Sequence, residues 1–248
     1  MIYAFSPEGV ACLAAVLVTR PLLAFDIDGT LAPIVDHPGE ARLPDEVQRC
    51  LAHLAGRYEV AIVTGRAAAD ARRMFAFEPR YLIGNHGAEG VPAWRERTAT
   101  FARDVRSWRD ALEACESLRA AGVTIEDKRY SISLHYRRAA DTDLAYRAIQ
   151  GCLGALVPKP KIIDGKAVVN LLSPDAPNKG DALRALIAET RCANVLYVGD
   201  DDTDEAVFGL HLPSVLTVRV EPSTDSEATL FLRDQHEVRT LLEHIARQ

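Results

Sequence analysis

The sequence predicts an α/β protein: a Rossmann-like, doubly wound parallel sheet with a smaller α+β domain inserted into it. Three observations lead to this prediction. Short apolar runs alternate with helical patterns near both ends of the chain, an order typical of a parallel sheet. Three of these runs stop abruptly at polar turns. The middle of the chain instead carries two hairpin-like pairs of strands.

The first part of the chain follows a β-α-β-α-β order. Ser6 and Pro7 form a typical helix start, with the serine as cap and the proline in the first turn. Because parallel strands need crossover connections, we expect the elements that follow to build one parallel sheet. They are strand 22–25, a helix over 44–54, strand 60–63, a helix at about 68–76 and strand 81–83.

The same rhythm returns in the last part of the chain. The predicted elements are a helix at about 180–190, strands 194–198 and 215–218, and a closing amphipathic helix with Val238, Leu241, Leu242 and Ile245 on one face.

The middle of the chain is predicted to form the inserted domain. Positions 105, 108, 112 and 115 give one helix face, and two strand pairs with a helix between them follow. One pair turns around residues 127–129, and the other turns at Asp164-Gly165, a strong signal for a two-residue hairpin. We therefore predict a core over 1–103 and 172–248, and an α+β insert over 104–171.

Composition and charge exclude several classes of protein. The chain has 248 residues, 48% of them hydrophobic, and a formal net charge of -6. A chain of this length can bury a large core, and it is too apolar to be disordered. Nothing in its charge pattern indicates binding to nucleic acid or to an anionic membrane, so we expect neither as a partner.

The cysteines and the N-terminal apolar run bear on location. Cysteines at 12, 50, 115, 152 and 192 match neither a CxxC pair nor a dense disulfide framework, so we expect reduced, mostly buried thiols. The apolar run 10–18 spans about half a bilayer and lacks the basic region of a signal peptide. We expect a cytoplasmic, unanchored protein, with a short secretory signal as the alternative.

Three polar clusters stand directly after predicted buried strands: Asp26 with Asp28, Thr64, and the acidic run 200–204. Because ligands of open parallel sheets bind at the carboxyl ends of the strands, these clusters should converge on one site. Several carboxylates on one rim repel each other, so a cation is expected there. The six candidates are Asp26, Asp28, Asp200, Asp201, Asp202 and Asp204.

The donor set favours Mg²⁺. Oxygen ligands without histidine or cysteine argue against zinc or copper, and few protein ligands with room for phosphate and water argue against Ca²⁺. In the alternative interpretation the acidic residues only cap the helices that follow. We accept that interpretation for Asp202 and leave it open for Glu205.

Asp26 and Asp28 have the spacing of a nucleophile and a proton-handling neighbour. At positions i and i+2 their side chains can point the same way from extended chain, and Gly29 lets the backbone turn back. One carboxylate can attack while the other moves protons, which suits catalysis through an acyl phosphate. Lys179, at a predicted helix start, could reach a phosphate oxygen or neutralise Asp26; taken alone, it would more often be solvated.

The order of these motifs resembles the haloacid-dehalogenase-like phosphatase superfamily and its fold, the HAD fold. DIDGT at 26–30 and GDDDTD at 199–204, with Thr64 and Lys179 between them, look like its four motifs. The insert between the second and third motifs resembles a C2-type cap, which shapes sugar-phosphate specificity in that superfamily. About 22–247 of the chain fits this layout.

Several local strings resemble the trehalose-6-phosphate phosphatase family. They are GNHGAE (84–89), IEDK (125–128), SLHYR (133–137), GKAV (165–168), NKG (178–180) and GDDDTDE (199–205). The resemblance implies a Mg²⁺-dependent hydrolase that releases trehalose and phosphate from trehalose 6-phosphate. It also implies functional coupling to a trehalose-phosphate synthase.

The resemblance implies roles for the core residues. Asp26 would be the nucleophile and form an aspartyl-phosphate, and Asp28 would protonate the leaving oxygen and then activate water. Mg²⁺ would be held by the Asp26 carboxylate, the Asp28 backbone carbonyl and Asp200. Thr64 and Lys179 would bind the phosphoryl oxygens. Asp201 and Asp204 would orient metal-bound water and Lys179. These roles agree with phosphoryl-transfer chemistry, which depends on positioning and on positive charge.

Substrate-binding positions are implied in the same way. They are Gly65, Arg66, Asn85, His86 and Glu89 in the core, and Glu126, Lys128, Lys166 and Asn170 in the cap. His86 fits a structural imidazole equally well, and the charged cap residues also fit an ordinary strand surface. The family commonly has a glutamate where this chain has Asn170, although an amide can still bond sugar hydroxyls.

Two other functions remain open. The departure at Asn170 favours a different sugar phosphate, such as sucrose phosphate or mannosyl-phosphoglycerate. The second alternative is a sugar-phosphate-binding regulatory module without turnover, which the complete set of catalytic residue types argues against.

Overall fold

The computed structural model describes residues 1–35, 38–190 and 192–248. The chain divides into a core unit, Met1–Val91 with Pro177–Gln248, and a cap unit, Pro92–Ala176. The cap unit interrupts the core unit in sequence, and the predicted limits of 104 and 171 lie inside it. The insert begins earlier than predicted because its first helix already starts at Thr98.

The elements of the core unit up to Val91 are β1 (Ile2–Tyr3), α1 (Pro7–Leu17), β2 (Leu22–Phe25), α2 (Asp45–Ala55), β3 (Val60–Val63), α3 (Ala68–Arg72) and β4 (Tyr81–Ile83). Those of the cap unit are α4 (Thr98–Glu113), α5 (Glu116–Ala120), β5 (Thr124–Asp127), β6 (Ser131–His135), α6 (Thr142–Leu153), β7 (Lys161–Gly165) and β8 (Val168–Leu172). The core unit then continues with α7 (Lys179–Glu189), β9 (Val195–Gly199), α8 (Glu205–Phe208), β10 (Val215–Val220), β11 (Leu230–Leu232) and α9 (His236–Ala246).

The core unit is built on a parallel sheet in the order β1-β11-β10-β9-β2-β3-β4. Every residue of β2 is buried, as in strands of parallel sheets that are covered on both faces. In the register of the sheet Phe25 pairs with Val198 of β9 and with Ile62 of β3. The carboxyl ends of these three strands therefore lie side by side, which confirms the predicted fold class.

The predicted ranges of β2, β3 and β4 match the structure, whereas two short strands were not predicted and one helix ends earlier than predicted. β1 and β11 have only two and three residues, too few for a periodic pattern. The helix predicted to reach 76 ends at Arg72 because the backbone closes there into tighter turns, with Arg73 N bonded to Asp70 O and Met74 N to Ala71 O.

The N-terminal apolar run forms α1. Ser6 Oγ accepts a hydrogen bond from Gly9 N at 3.1 Å, and Pro7 is the first helical residue, which confirms the predicted helix start. Leu13 and Leu17 of this helix are buried in the core. Within the described ranges no helix is both long and apolar enough to cross a bilayer.

The cap unit has an antiparallel sheet in the order β5-β6-β8-β7. Ile132 and Leu134 of β6 pack with Trp108 of α4 and Ile149 of α6, so the helices cover one face of this sheet. The second hairpin turns at Lys166-Ala167 and not at Asp164-Gly165, which corrects the prediction. Gly165 already pairs with Val168 in the ladder, and Ala167 takes the positive φ of 62° that closes the turn.

The expectation of reduced, mostly buried cysteines is wrong in two respects. Cys115 and Cys152 of the cap unit form a disulfide, because Cys115, just before α5, lies against α6, which carries Cys152. The other three, Cys12, Cys50 and Cys192, are free thiols and only half-buried.

Candidate active site

The centre of the site is an ammonium group held between two carboxylates. Lys179 Nζ donates to Asp26 Oδ2 at 2.7 Å and to Asp204 Oδ1 at 2.8 Å. All three side chains are buried. Burial alone would lower the pKa of Lys179, but Asp204 and Asp26 raise it above its ordinary value, so the ammonium stays charged.

The start of α7 places Lys179. Asn178 caps this helix: its Oδ1 accepts from Asp181 N at 2.8 Å, and Asp181 Oδ2 accepts from Asn178 N at 3.1 Å. This reciprocal capping fixes the chain entering the helix. Lys179 is therefore buried at the first helical position and is not the solvated surface residue of the alternative interpretation.

Asp200 completes a compact acidic group. Oxygens of Asp26, Asp200 and Asp204 all lie within 4.8 Å of one another, which confirms that segments far apart in sequence converge. Asp200 Oδ1 accepts from Thr30 Oγ1 at 3.0 Å. Gly29 is required beside it, since its φ is +82° and a Cβ there would lie 2.0 Å from Asp200 Oδ2.

The electrostatics of the acidic group indicate a cation. Burial is the main cause that raises the pKa of Asp26 to about 7, helped by Asp204 and opposed by Lys179. Burial, followed by Asp26 and Asp204, raises the pKa of Asp200 to about 8. Two carboxylates that resist ionisation together are stabilised by a positive ion, and their oxygen-only donors suit a hard divalent cation.

Asp204 belongs to the acidic group by distance but is occupied by other donors. Its Oδ2 accepts from the backbone N–H of Asp200 at 3.1 Å and of Asp201 at 3.0 Å. Its Oδ1 accepts from Lys179 and, at 2.5 Å, from the phenol of Tyr197. Asp26 accepts only one hydrogen bond at each oxygen, from Ile27 N and from Lys179, so Asp26 and Asp200 have more lone pairs left to bind a cation than Asp204 has.

Asp28 is held by Arg66 in a two-pronged ion pair. Arg66 Nε donates to Asp28 Oδ2 and Arg66 Nη2 donates to Asp28 Oδ1, each at 2.6 Å. A planar guanidinium matches a carboxylate in this geometry, so the side chain of Asp28 is fixed in direction. The sequence predicted Arg66 only as a substrate-binding position, and its contact with Asp28 was not foreseen.

The loop after β4 is fastened to the loop after β3. His86 N donates to Thr64 O at 3.0 Å, and Asn85 N donates to Arg66 O at 2.7 Å. Asn85 and His86 have positive φ angles of 50° and 56°, and both are buried. Glu89 Oε2 accepts from Ala68 N at 2.9 Å and from Asn85 Nδ2 at 2.8 Å. The loop thus supports the segment that carries Thr64, Gly65 and Arg66.

The other two acidic residues of the run take local roles. Asp201 Oδ1 accepts from Asp202 N at 2.7 Å, so Asp201 caps the short 3-10 turn Asp202–Asp204. Asp202 itself is exposed. The cap of this turn is therefore Asp201 rather than the predicted Asp202. Glu205 accepts from Arg219 Nη1 at 2.6 Å.

Two of the predicted cap positions, Glu126 and Asn170, lie on the sheet face opposite the helices. Glu126, Ser133 and Asn170 pair across neighbouring strands. Ser133 Oγ donates to Asn170 Oδ1 at 2.6 Å, and Asn170 Nδ2 donates to Ile163 O at 3.3 Å. Both ends of the Asn170 amide are thus bonded within the sheet.

The remaining cap positions cluster near Glu126. Its Oε2 lies 2.7 Å from His135 Nε2 and 3.8 Å from Lys128 Nζ. Lys166 lies in the turn between β7 and β8.

Fold and acidic centre together define a HAD-type phosphatase: a parallel sheet with carboxylates and a lysine at the carboxyl ends of its strands, interrupted by an α+β cap. Comparison with known proteins agrees. A family model described as trehalose-phosphatase matches residues 24–236, so the chain belongs to the trehalose-phosphatase family.

Two relatives and one solved structure show how far the similarity extends. A probable trehalose-phosphate phosphatase of Sinorhizobium fredii is 33% identical over 84% of this chain and 80% of its own length. An uncharacterized glycosyl hydrolase of Mycobacterium tuberculosis is 33% identical over 76% of this chain, which spans only 15% of that relative. The crystal structure of a trehalose-6-phosphate phosphatase related protein has a TM-score of 0.69 and 25% identity, covering 91% of this chain and 97% of that one.

Proposed function

We propose that the protein hydrolyses trehalose 6-phosphate to trehalose and phosphate, with Mg²⁺ and through an aspartyl-phosphate on Asp26. The observation that carries the proposal is the buried contact of Lys179 with Asp26 beside Asp200. It supplies a nucleophile, a fixed positive charge and a cation site in one place, in a chain of the trehalose-phosphatase family.

The proposed reaction has two steps. In the first, a carboxylate oxygen of Asp26 attacks phosphorus, the bond from phosphorus to the sugar oxygen breaks, and Asp28 gives its proton to that oxygen. In the second, water attacks the phosphorus of the aspartyl-phosphate and Asp28 takes a proton of the water. The bond from phosphorus to the Asp26 oxygen breaks, which releases phosphate and restores the Asp26 carboxylate. Thr64 and Lys179 stabilise the negative charge of the transferring phosphoryl group.

The cation would be held by Asp26, Asp200 and the backbone carbonyl of Asp28. Bound there, Mg²⁺ supplies positive charge that neutralises the carboxylates and the phosphate. Asp201, which caps the neighbouring turn, would orient a water molecule at the cation. We propose that Asp204 serves Lys179 instead, because each of its oxygens already accepts two hydrogen bonds, whereas each oxygen of Asp26 accepts one.

Selection of the sugar is proposed for the polar face of the cap sheet. The half-buried Glu126 and Lys128 and the exposed Lys166 would bond sugar hydroxyls directly, and polar groups that a bound sugar covers discriminate against sugars that leave them unbonded. Asn170 would contribute less than a free glutamate, because Ser133 and Ile163 already engage its amide. In the core, Gly65, Arg66, Asn85, His86 and Glu89 would shape the phosphate side of the substrate site.

Coupling to a trehalose-phosphate synthase and a cytoplasmic location are further proposals. A synthase would supply the phosphorylated disaccharide that this enzyme consumes. The cytoplasmic location was expected partly because the cysteines were expected to be reduced, and the Cys115–Cys152 disulfide no longer supports that reason. Cell fractionation tests the location.

A phosphate-release assay tests the function. Purified protein with Mg²⁺ is given trehalose 6-phosphate, sucrose phosphate and mannosyl-phosphoglycerate, and Asp26→Asn serves as the control that removes the nucleophile but little volume. We expect release from trehalose 6-phosphate, and none with the variant. At least about tenfold higher kcat/KM on another sugar phosphate, a difference of about 1.4 kcal/mol, would assign the enzyme to that substrate.

The same proteins distinguish an enzyme from a binding module. If wild type and Asp26→Asn both released no phosphate yet bound trehalose 6-phosphate equally well in calorimetry, the chain would be a sugar-phosphate-binding module.

A further inference from the structure

Tyr197 is a buried phenol that no proposed catalytic step uses. It lies in the middle of β9, where it pairs with Ala24 of β2 and Thr217 of β10. Its side chain is 0% exposed, and the ring meets Phe208 of α8 edge to face, with centroids 6.1 Å apart. The ring therefore has a fixed position, and its hydroxyl donates to Asp204 Oδ1 at 2.5 Å.

The hydroxyl completes the set of donors around Asp204. Two backbone N–H groups fix Oδ2, and Tyr197 and Lys179 share Oδ1. The carboxyl group also lies close to the backbone of Gly199, where a Cβ would lie 2.4 Å from Asp204 Cγ. Burial and the nearby Asp204 and Asp26 raise the pKa of Tyr197 well above its ordinary value, so the phenol keeps its proton and remains a donor.

From this geometry we infer that Tyr197 is a positioning residue for phosphoryl transfer: it fixes Asp204 Oδ1 so that Lys179 is held at its place beside Asp26. The inference rests on the proposed function. Lys179 has three N–H donors, and Asp26 and Asp204 take two of them. The direction of the third, which we assign to a phosphoryl oxygen, depends on where Asp204 Oδ1 lies.

Loss of the phenol should therefore affect the transition state more than substrate binding. With Tyr197→Phe, Asp204 Oδ1 keeps only the ammonium and can shift with it, so Lys179 no longer meets the phosphoryl group in its best geometry. The sugar contacts of the cap do not depend on this bond, so KM should stay nearly constant. An interaction gained only in the transition state appears in kcat.

The test compares Tyr197→Phe with a matched control. Tyr81→Phe also removes a phenol that bonds a carboxylate, here Glu59 at 3.1 Å, but at the amino end of β4 and away from the site. We expect Tyr197→Phe to lower kcat for trehalose 6-phosphate about tenfold, with KM within about twofold, and to weaken binding of orthovanadate about tenfold in calorimetry. All three quantities should stay within about twofold in Tyr81→Phe.

The outcomes separate this inference from the proposed function. An unchanged kcat and vanadate affinity in Tyr197→Phe, or a loss confined to KM, would overturn the positioning role. Thermal unfolding curves show whether Tyr197→Phe folds. If the variant is unfolded at every assay temperature, the positioning role is overturned too, because the phenol is then needed for folding. If the wild type released no phosphate from the sugar phosphates, the proposed function would fail, while vanadate binding would still test Tyr197.

Discussion

Arg66 and Asp28 form a two-pronged ion pair in which each carboxylate oxygen accepts from one guanidinium nitrogen at 2.6 Å. Asp28 is the residue proposed to move the proton, and Arg66 determines the direction of its carboxylate. Because the proton must pass to a sugar oxygen and later come from water, the partner that orients Asp28 should influence both steps.

We therefore expect Arg66→Lys to lower kcat/KM for trehalose 6-phosphate by about tenfold to a hundredfold. Lysine keeps the charge but cannot bind both oxygens in a plane, and a small misplacement of a catalytic group costs this much. Steady-state kinetics measure the effect. Arg73→Lys is the control, because Arg73 pairs with Asp70 on the exposed surface of α3, where ion pairs contribute little. Equal kcat/KM in all three proteins would contradict the role of Arg66.

Replacing Lys179 should harm both stability and activity. Lys179→Met leaves the buried Asp26 and Asp204 without their shared cation, and removal of one partner of a buried ion pair costs about 3–5 kcal/mol. Urea unfolding with and without Mg²⁺ measures the loss. Lys159→Met, at an exposed position of the cap unit, should change the free energy of unfolding by less than about 0.5 kcal/mol. A Lys179→Met protein as stable as the control would show that the ammonium is not shared.

Stability of the metal-free protein should fall as the pH rises. Asp26 and Asp200 have folded-state pKa values of about 7 and about 8, above their ordinary value of 3.8. At pH values between 3.8 and these folded-state pKa values, the folded state therefore binds more protons than the unfolded state. The stability they contribute is complete below about pH 4 and is lost as the pH rises through about 7 to 8.

Mg²⁺ should remove this loss, because it replaces the protons on the two carboxylates. Melting temperatures measured from pH 5.5 to 8.5 with EDTA or with Mg²⁺ test the expectation. The gain from Mg²⁺ should be larger at pH 8.5 than at pH 5.5, and Asp200→Asn should reduce it. A gain from Mg²⁺ that is the same at both pH values would contradict the assignment of the two carboxylates as ligands.

The disulfide of the cap unit predicts a specific thiol count. Denatured but unreduced protein should show three reactive thiols, Cys12, Cys50 and Cys192, and the reduced protein all five. Cys115→Ser should lower the free energy of unfolding by about 2–4 kcal/mol because the unfolded chain loses its cross-link, whereas Cys50→Ser leaves the cross-link intact. Five reactive thiols without reductant would mean that the bridge does not form.

The central strands and the acidic centre could be predicted because their signals are local. Leu22–Phe25 is an uninterrupted apolar run that stops at Asp26, and the end of one parallel strand fixes which side of the sheet its polar turn occupies. The short edge strand Ile2–Tyr3 forms by pairing with Leu230–Leu232, and no periodicity within two residues can reveal that pairing.

The contacts that the sequence did not predict depend on tertiary geometry. In the sequence, Tyr197 is one more residue of an apolar strand, and nothing in the neighbouring residues indicates that its hydroxyl donates to Asp204. The bond from Arg66 to Asp28 joins residues 38 positions apart, and the spacing of Cys115 and Cys152 gave no sign of their pairing. In each case packing of elements distant in sequence brings the two groups together.

The most direct test of the proposed chemistry is to trap the phosphorylated enzyme. Protein mixed with trehalose 6-phosphate and Mg²⁺ is quenched in acid within one turnover, digested and examined by mass spectrometry. We expect one added phosphoryl group on the peptide that contains Asp26, and none in Asp26→Asn. Phosphate release in the first turnover with no phosphorylated peptide at any quench time, or with the group on another residue, would contradict the assignment of Asp26 as nucleophile.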